Sequence, residues 1–480
     1  MAKTLDSADV CIIGSGAGGA VVAYEAARRG LRTLVLERGP RVAPSDLTDS
    51  ELEMIPWLYA DGGLQLNTSM DLFILQGSCV GGSTVLSNMV LLRPDDSVWQ
   101  NWLRYGAAFD RAALDAAYDS VAQELEASLP KPDNVSRSSR RFMQGALALG
   151  LEPKWMLKAL GDCRGCGYCN VGCSFGEKRD ASTTYLKWAE RHGARVLAQA
   201  EVLHIDVAHG RARTLTARIG RGREQLTVSA KIVVVAAGAI GSSALLLRSG
   251  LRNNIGRRLS FNAGSMVTAE FDERLDGFDA DQMTVYLKGP GYIIEATHNP
   301  LMSAALTTPG WFAQHANLMS RSRHLAYAGA LIATEPVGAV VQSRLFGHEE
   351  VRFRMTDRDL GRLRLGLRRI AEIFFSAGAR RVVFPTHRYL ELQSVDELDR
   401  IDGAVRSMRD LTVGSAHPQG GNPISSDPRL GAVDESLRVH GTDNLFVCDA
   451  SVFPSCIGVN PIHTIMALAK ERVAGIVAQA

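Results

Sequence analysis

A six-residue turn near the amino end sets the fold class. Gly14-Ser15-Gly16-Ala-Gly18-Gly19 follows the short apolar run Val10-Cys-Ile-Ile13 and opens a stretch, Ala17 to Arg29, with Ala and Val on one helical face. Thr33-Leu-Val-Leu-Glu37 then reads as a second strand. Strand, G-x-G-x-x-G turn, helix and parallel strand make a βαβ unit that binds a dinucleotide. Gly14 permits the turn, Gly16 lets the backbone approach a pyrophosphate, and Gly19 lets the helix lie close to the strand; Gly18 completes the run. The helix N-terminus then faces the negative charge. Glu37, at the end of the second strand, is placed to accept from ribose hydroxyls and argues against a 2′-phosphate. These residues alone leave FAD and NAD both open.

With 480 residues the chain exceeds one ordinary core, so two or three interleaved domains are expected. Phe109 to Ala127 reads as an amphipathic helix and Ser128 to Ser139 as a linker. Ala194-Arg-Val-Leu197 and Lys231-Ile-Val-Val-Val-Ala236 read as strands returning to the nucleotide-binding sheet. From about 262 to 350 strand-like pieces such as Tyr327 to Glu335 prevail. A helix from Asp357 to Ala377 follows, with Leu360, Leu363, Leu367, Ile370 and Phe374 on one face. The fold class is α/β: a discontinuous Rossmann-like domain (1–125, 193–261 and 409–480), a linker with a Cys-rich insertion (126–192), and a β-rich substrate domain (262–408).

Net charge is only +2, which gives no support for nucleic acid as a partner, and no apolar run reaches the length of a membrane span. The opening residues Met1 to Asp9 lack an apolar signal core or a twin arginine. A cytoplasmic protein is expected, with export on a signal-bearing partner as the alternative.

Cys163-Arg-Gly-Cys166-Gly-Tyr-Cys169-Asn-Val-Gly-Cys173 has the C-x2-C-x2-C-x3-C spacing of an iron–sulfur run. Three thiolates on one tight loop can grip three corners of a cube, and Gly165, Gly167 and Gly172 give the loop its backbone freedom. A [4Fe-4S] or [3Fe-4S] cluster on Cys163, Cys166, Cys169 and Cys173 is the favoured reading. Zinc and four metal-free thiols stay open as alternatives. Cys11, Cys79, Cys448 and Cys456 read as core or site-lining residues.

Four further segments resemble the glucose–methanol–choline (GMC) family of flavin oxidoreductases. Gly81-Gly82-Ser-Thr-Val-Leu-Ser87-Asn88, with Arg93-Pro94, is similar to its first signature, and Gly238 to Gly250 to its second. Asn444 to Pro454 and Gly458-Val-Asn460-Pro461-Ile-His-Thr464 are similar to its C-terminal segment. His417-Pro-Gln-Gly-Gly421 resembles the catalytic-histidine stretch of the cholesterol oxidase and long-chain alcohol oxidase branches. The resemblance implies FAD. It implies that Gly81 and Gly82 bring backbone close to the flavin, that Ser87 and Asn88 contact it, and that Val202 lies against the adenine. Asp449 and Ala450 would stand near the ribityl and pyrophosphate, Asn460 and Pro461 beside the isoalloxazine, and Arg38 next to Glu37 at the nucleotide end. The family has Asn at the position of Ser87, so Asn88 stands one place late.

Oxidising an alcohol requires removal of a hydroxyl proton and of a hydride from the same carbon. A histidine, neutral near pH 7, suits the first task, and His417 lies in the Gly/Pro-rich turn Val413 to Gly421. Asn460 can position the substrate oxygen, where other branches of the family carry a second histidine. His463 is offset from that position, and Glu335 reads as an ordinary strand carboxylate that could assist. The expected activity is FAD-dependent oxidation of an apolar primary or secondary alcohol (long-chain, alicyclic or sterol-like). Electrons would leave through the cluster to a cytochrome, a quinone or a small protein subunit; without a cluster, an oxidase giving hydrogen peroxide is equally open. A sugar dehydrogenase and a non-redox flavin lyase or decarboxylase are the alternatives.

Overall fold

The computed structural model describes residues 3–220, 222, 224–343 and 349–480. Two sheets organise them. In the first, Lys3–Ile13 runs parallel to Thr33–Leu36 on one side and to Gln225–Val235 on the other. Arg195–Leu197 extends the sheet beyond Thr33–Leu36, and Leu445–Val447 lies parallel to the end of Gln225–Val235. The hairpin Ala200–Ala208 and Arg211–Ile219 completes it in antiparallel pairing. Val10, Ile12, Val233 and Val234 are buried, as expected of parallel strands covered on both faces. Helix Ala17–Ala27 packs between helices Tyr185–Arg191 and Ile462–Val477.

The second sheet has thirteen strands around the long strand Arg257–Glu270. Leu325–Ala333 pairs with one edge of it, and Pro418–Gly421, Gly414–Ser415 and Arg381–Phe384 pair with it as well. Tyr292–Thr297 and Met283–Gly289 continue the sheet outward. Helix Asp357–Ser376 covers one face, started by a capping box in which Thr356 and Asp359 satisfy each other's backbone N–H groups. Its residues Leu360, Leu363, Leu367, Ile370 and Phe374 are buried against the strands, as their spacing predicts. Gly366 allows the close approach, because a Cβ there would stand 2.8 Å from that of Ala330. The other face is the floor of a cavity: Met266, Gly329 and Glu295 form one row across three neighbouring strands.

The βαβ unit and the helix after residue 356 follow the sequence closely. The domain boundaries do not. Arg257–Glu270 runs straight through the limit set at 261/262, because one continuous strand serves as the spine of the second sheet. Gln65–Leu66, Phe73–Ile74, Gly414–Ser415 and Pro418–Gly421, assigned to the nucleotide domain, also pair into that sheet. The linker at 128–139 ends in a helix, Arg137–Ala148, whose N-cap Ser136 accepts from the Ser139 N–H. Two short helices, Leu301–Thr307 and Ala313–Ser320, interrupt the strand-rich stretch before 350. Residues 344–348, at the end of that stretch, lie outside the described residues. No helix among the described residues is long and apolar enough to cross a membrane.

Candidate active site

One cavity of about 1920 Å3 lies between the two sheets. Ordinary ligand sites occupy roughly 300–1,000 Å3, so this one has room for a dinucleotide and a second molecule. Its lining includes Gly14, Ser15, Gly16, Gly18, Glu37, Arg38, Gly82, Ser87, Asn88, Val202, Asp449, Ala450, Asn460, Pro461 and His417. Of the residues that the sequence assigns to the flavin and to the catalytic pair, Gly19 and Gly81 stand behind this wall.

The glycine turn shows a division of labour. Gly14 has φ +97°, and a Cβ there would meet the Ala236 carbonyl oxygen at 2.3 Å. On Gly18 a Cβ would stand 1.9 Å from the Cys448 carbonyl oxygen, and on Gly19 it would stand 2.2 Å from that of Gly14. At Gly16, in contrast, nothing lies within 4 Å of the missing Cβ. That open space adjoins the N-terminus of helix Ala17–Ala27, which no side chain caps, so its free N–H groups are left for an anion. The cradle fits the pyrophosphate of a dinucleotide.

Glu37 does more than await a ribose. Its Oε2 accepts from the Ser15 N–H at 3.0 Å and from the Ser15 hydroxyl at 2.7 Å, and its Oε1 accepts from the Gly39 N–H at 2.9 Å. The Ser15 oxygen in turn accepts from Gly81 N–H at 2.9 Å. The carboxylate therefore pins the glycine turn, and through Ser15 the loop at Gly81, while Oε1 keeps a lone pair for a ribose hydroxyl. Val202 sits at this end beside Glu201 and Arg248. Asp449, where a ligand role was expected, also holds protein: its carboxylate accepts from Gly238 N–H at 2.9 Å, Ser451 N–H at 2.8 Å and the Ser242 hydroxyl. Burial still pushes its pKa upward. Ser87 Oγ donates to the Thr84 carbonyl at 2.8 Å, whereas Asn88 Oδ1 is buried without a partner.

Three more unpartnered polar atoms belong to the walls of this cavity. They are His417 Nδ1, Asn460 Oδ1 and Glu295 Oε1. Unpaired buried polar atoms are costly, and their presence in one cavity marks the place where a ligand completes the protein. Burial lowers the His417 pKa to about 4, so the imidazole is neutral at pH 7 and able to take a proton. Burial raises the Glu295 carboxyl to about 7, with a hydrogen bond from Asn460 opposing the rise. Glu295 escaped the sequence reading. Its signal was a single acid inside Tyr-Ile-Ile-Glu-Ala-Thr, a strand buried at every position. Glu335 lies outside the cavity and pairs with Arg358 and Arg362. His463 is buried behind it, with Nε2 2.9 Å from the Tyr118 carbonyl and its ring edge-on to Tyr118.

The expectation for the four cysteines is not met by their placement. Among the described residues no group of three or more His, Cys, Asp and Glu side chains could hold a metal ion, and all four thiols are free. The segment instead wraps around a buried lysine and a small apolar cluster. Lys178 Nζ donates to the carbonyls of Cys169 and Val85, each at 2.7 Å, while Val171 and Tyr168 pack with Met54, Leu58 and Leu86. Burial raises the thiol pKa of Cys163 and Cys166, and that of Cys169 to about 12. The segment does reach the cavity, since Asn170 lines it and accepts from Asn88 Nδ2 at 3.2 Å.

A glycine cradle on a parallel sheet, with a neutral imidazole and a β-sheet wall completing the same cavity, defines a dinucleotide-dependent oxidoreductase. Residues 55–263 and 341–469 match the two models described as GMC oxidoreductase, and residues 9–68 match that of an FAD dependent oxidoreductase. An uncharacterized GMC-type oxidoreductase of Mycobacterium tuberculosis is 31% identical over 472 residues, 96% of this chain and 74% of that one. The long-chain-alcohol oxidase FAO4A of Arabidopsis thaliana is 28% identical, over 96% of this chain and 67% of its own. The crystal structure of pyridoxine 4-oxidase from Mesorbium loti superposes with a TM-score of 0.75 at 20% identity, covering 97% and 98% of the two chains. The chain belongs to the GMC oxidoreductase family, and its cofactor is FAD.

Proposed function

We propose that this enzyme oxidises an apolar primary or secondary alcohol to the carbonyl. The observation that carries the reading is the set of unpartnered polar atoms on His417, Asn460 and Glu295 in one cavity. His417, neutral at pH 7, takes the hydroxyl proton. Asn460 holds the substrate oxygen, with the Glu295 carboxyl lining the same cavity beside it. Bound FAD supplies the two-electron acceptor for the hydrogen on the carbinol carbon. The cofactor is held by Gly16 and the open helix end, by Glu37 and by the Gly81–Gly82 turn, with Val202 at the nucleotide end.

The apolar preference is supported by the remainder of the wall, which includes Leu66, Phe73, Met266, Met302, Leu306 and Leu331. Ser265, Thr297, Asn299 and Thr308 stand among them, so sugars are the competing class that the test includes. An iron–sulfur relay is no part of this reading, because the thiols as placed do not fit a cluster, and no step is routed through them.

The test is anaerobic. Purified holoenzyme is mixed with a panel of long-chain and alicyclic alcohols and with a panel of sugars, and the flavin absorption is followed. Bleaching by the alcohols is expected. Bleaching by sugars alone, or by neither panel, would overturn the proposal.

A further inference from the structure

Asn262 is fully buried, and neither its Nδ2 nor its Oδ1 has a partner. A carboxamide with both ends unpaired is expensive and calls for an explanation. Its position supplies one. Strands Arg257–Glu270 and Pro418–Gly421 pair Ser260 with Gln419 and Phe261 with Pro418, so the register sets Asn262 opposite His417. The Asn262 N–H donates to the His417 carbonyl at 3.2 Å. The return bond of the ladder is replaced by a hydroxyl: the His417 N–H donates to Ser415 Oγ at 3.1 Å, and Ser415 Oγ donates to the Asn262 carbonyl at 2.9 Å. Residues facing each other across an antiparallel pair carry Cβ atoms roughly 4.5–5.5 Å apart. His417 Nδ1 is itself buried and unpartnered.

The geometry points to Asn262 as the positioning residue of His417: its Oδ1 accepts the proton on Nδ1 through one buried water that fills the gap between the two unpartnered atoms, and leaves Nε2 as the base. An imidazole has one donor and one acceptor nitrogen, and the partner on one fixes the role of the other. Without that partner the two tautomers compete and the ring turns freely about its side-chain bonds. The inference rests on His417 acting as the base, yet it makes a statement about the ring that holds whether or not substrate is present.

The decisive measurement is the tautomer. In holoenzyme labelled with 15N-histidine, long-range 1H–15N correlation distinguishes Nδ1–H from Nε2–H, and a His417→Gln sample assigns the resonance. The Nδ1–H form is expected; an Nε2–H ring in the wild type would overturn the inference even if His417→Gln is inactive. Conversely, an Nδ1–H ring with a fully active His417→Gln would leave the positioning intact and refute the base. Asn262→Leu should give mixed tautomers and lower kcat roughly 10- to 100-fold with KM and FAD content unchanged. Asn262→Asp, which keeps an acceptor oxygen, should restore the single tautomer and most of kcat. If Asn262→Leu fails to fold, the Asn262→Asp spectrum decides: mixed tautomers in that folded variant would overturn the inference.

Discussion

Glu295 and Asn460 approach the same cavity from different parts of the fold, and the carboxamide of one tempers the upward pKa shift of the other's carboxyl. Glu295 stands in the middle of a strand of the substrate-facing sheet, while Asn460 lies just before helix Ile462–Val477. The carboxyl is neutral below about pH 7 and charged above it. Charge on that wall disfavours an apolar substrate. For an apolar alcohol kcat/KM should therefore fall as pH rises through about 7, and Glu295→Gln should flatten that limb. A pH series with both proteins checks it.

The same group leaves a mark on stability. Its pKa is about 7 folded against an ordinary 4.5, so the folded form binds more protons between those values. Stability is unaffected below about 4.5, declines as pH rises toward 7, and stays lower above it. The difference corresponds to about 3 kcal/mol. Glu295→Gln should thus stabilise the protein at pH 8 and be nearly neutral at pH 4.5, as read by urea unfolding.

His417 works in the other direction. Its pKa falls from 6.5 to about 4 on burial, so acid favours the unfolded chain between those values. The base remains unprotonated down to about pH 4, and kcat/KM should show no acid limb from His417 near pH 6.5. His417→Ala should lower kcat by about 10²- to 10⁴-fold while the flavin spectrum is retained.

Gly16 and Gly18 should respond oppositely to added bulk. Gly16→Val places its side chain in the open cradle, so the protein should fold and lose FAD. Gly18→Ala drives a methyl group into the Cys448 carbonyl and should lower Tm before cofactor is considered. Flavin absorbance per chain, together with the melting temperature of the apoprotein, separates the two.

Lys178 offers a test of the Cys-rich segment. Its ammonium is fully buried and satisfies two carbonyls, so Lys178→Met should cost about 1–3 kcal/mol through the acceptors left unpaired. Replacing Cys163, Cys166, Cys169 and Cys173 together by Ser should leave alcohol-dependent flavin bleaching in place. Thermal melts and anaerobic titrations read these outcomes.

The parts of the fold that sequence reveals are those in which local pattern and tertiary structure agree. Gly14 to Gly19 sits where a strand must turn into a helix, and the apolar face of 357–376 is complete within its own segment. Arg257–Glu270 is different, because its five pairing partners come from far along the chain and no local period announces them. Arg137–Ala148 was hidden by its polar opening, Arg-Ser-Ser-Arg-Arg, although Ser136 was a visible cap. In the site, histidine stood out by type and by its turn. Glu295 did not, because an acid in an apolar strand signals burial without saying what it faces. The cysteine spacing suggested a ligand set, but spacing does not say which way the thiols turn, and here the carbonyls took the central role.

The strand Arg257–Glu270 both anchors the imidazole at Asn262 and floors the cavity at Gly264 and Met266. Remodelling that floor to admit a new molecule would disturb Asn262, two and four residues away on the same strand, and through it the imidazole. Helices Leu301–Thr307 and Ala313–Ser320 also border the space, yet share no backbone ladder with His417. A mutant library aimed at new specificity should be richest in working enzymes when its diversity is confined to 301–320.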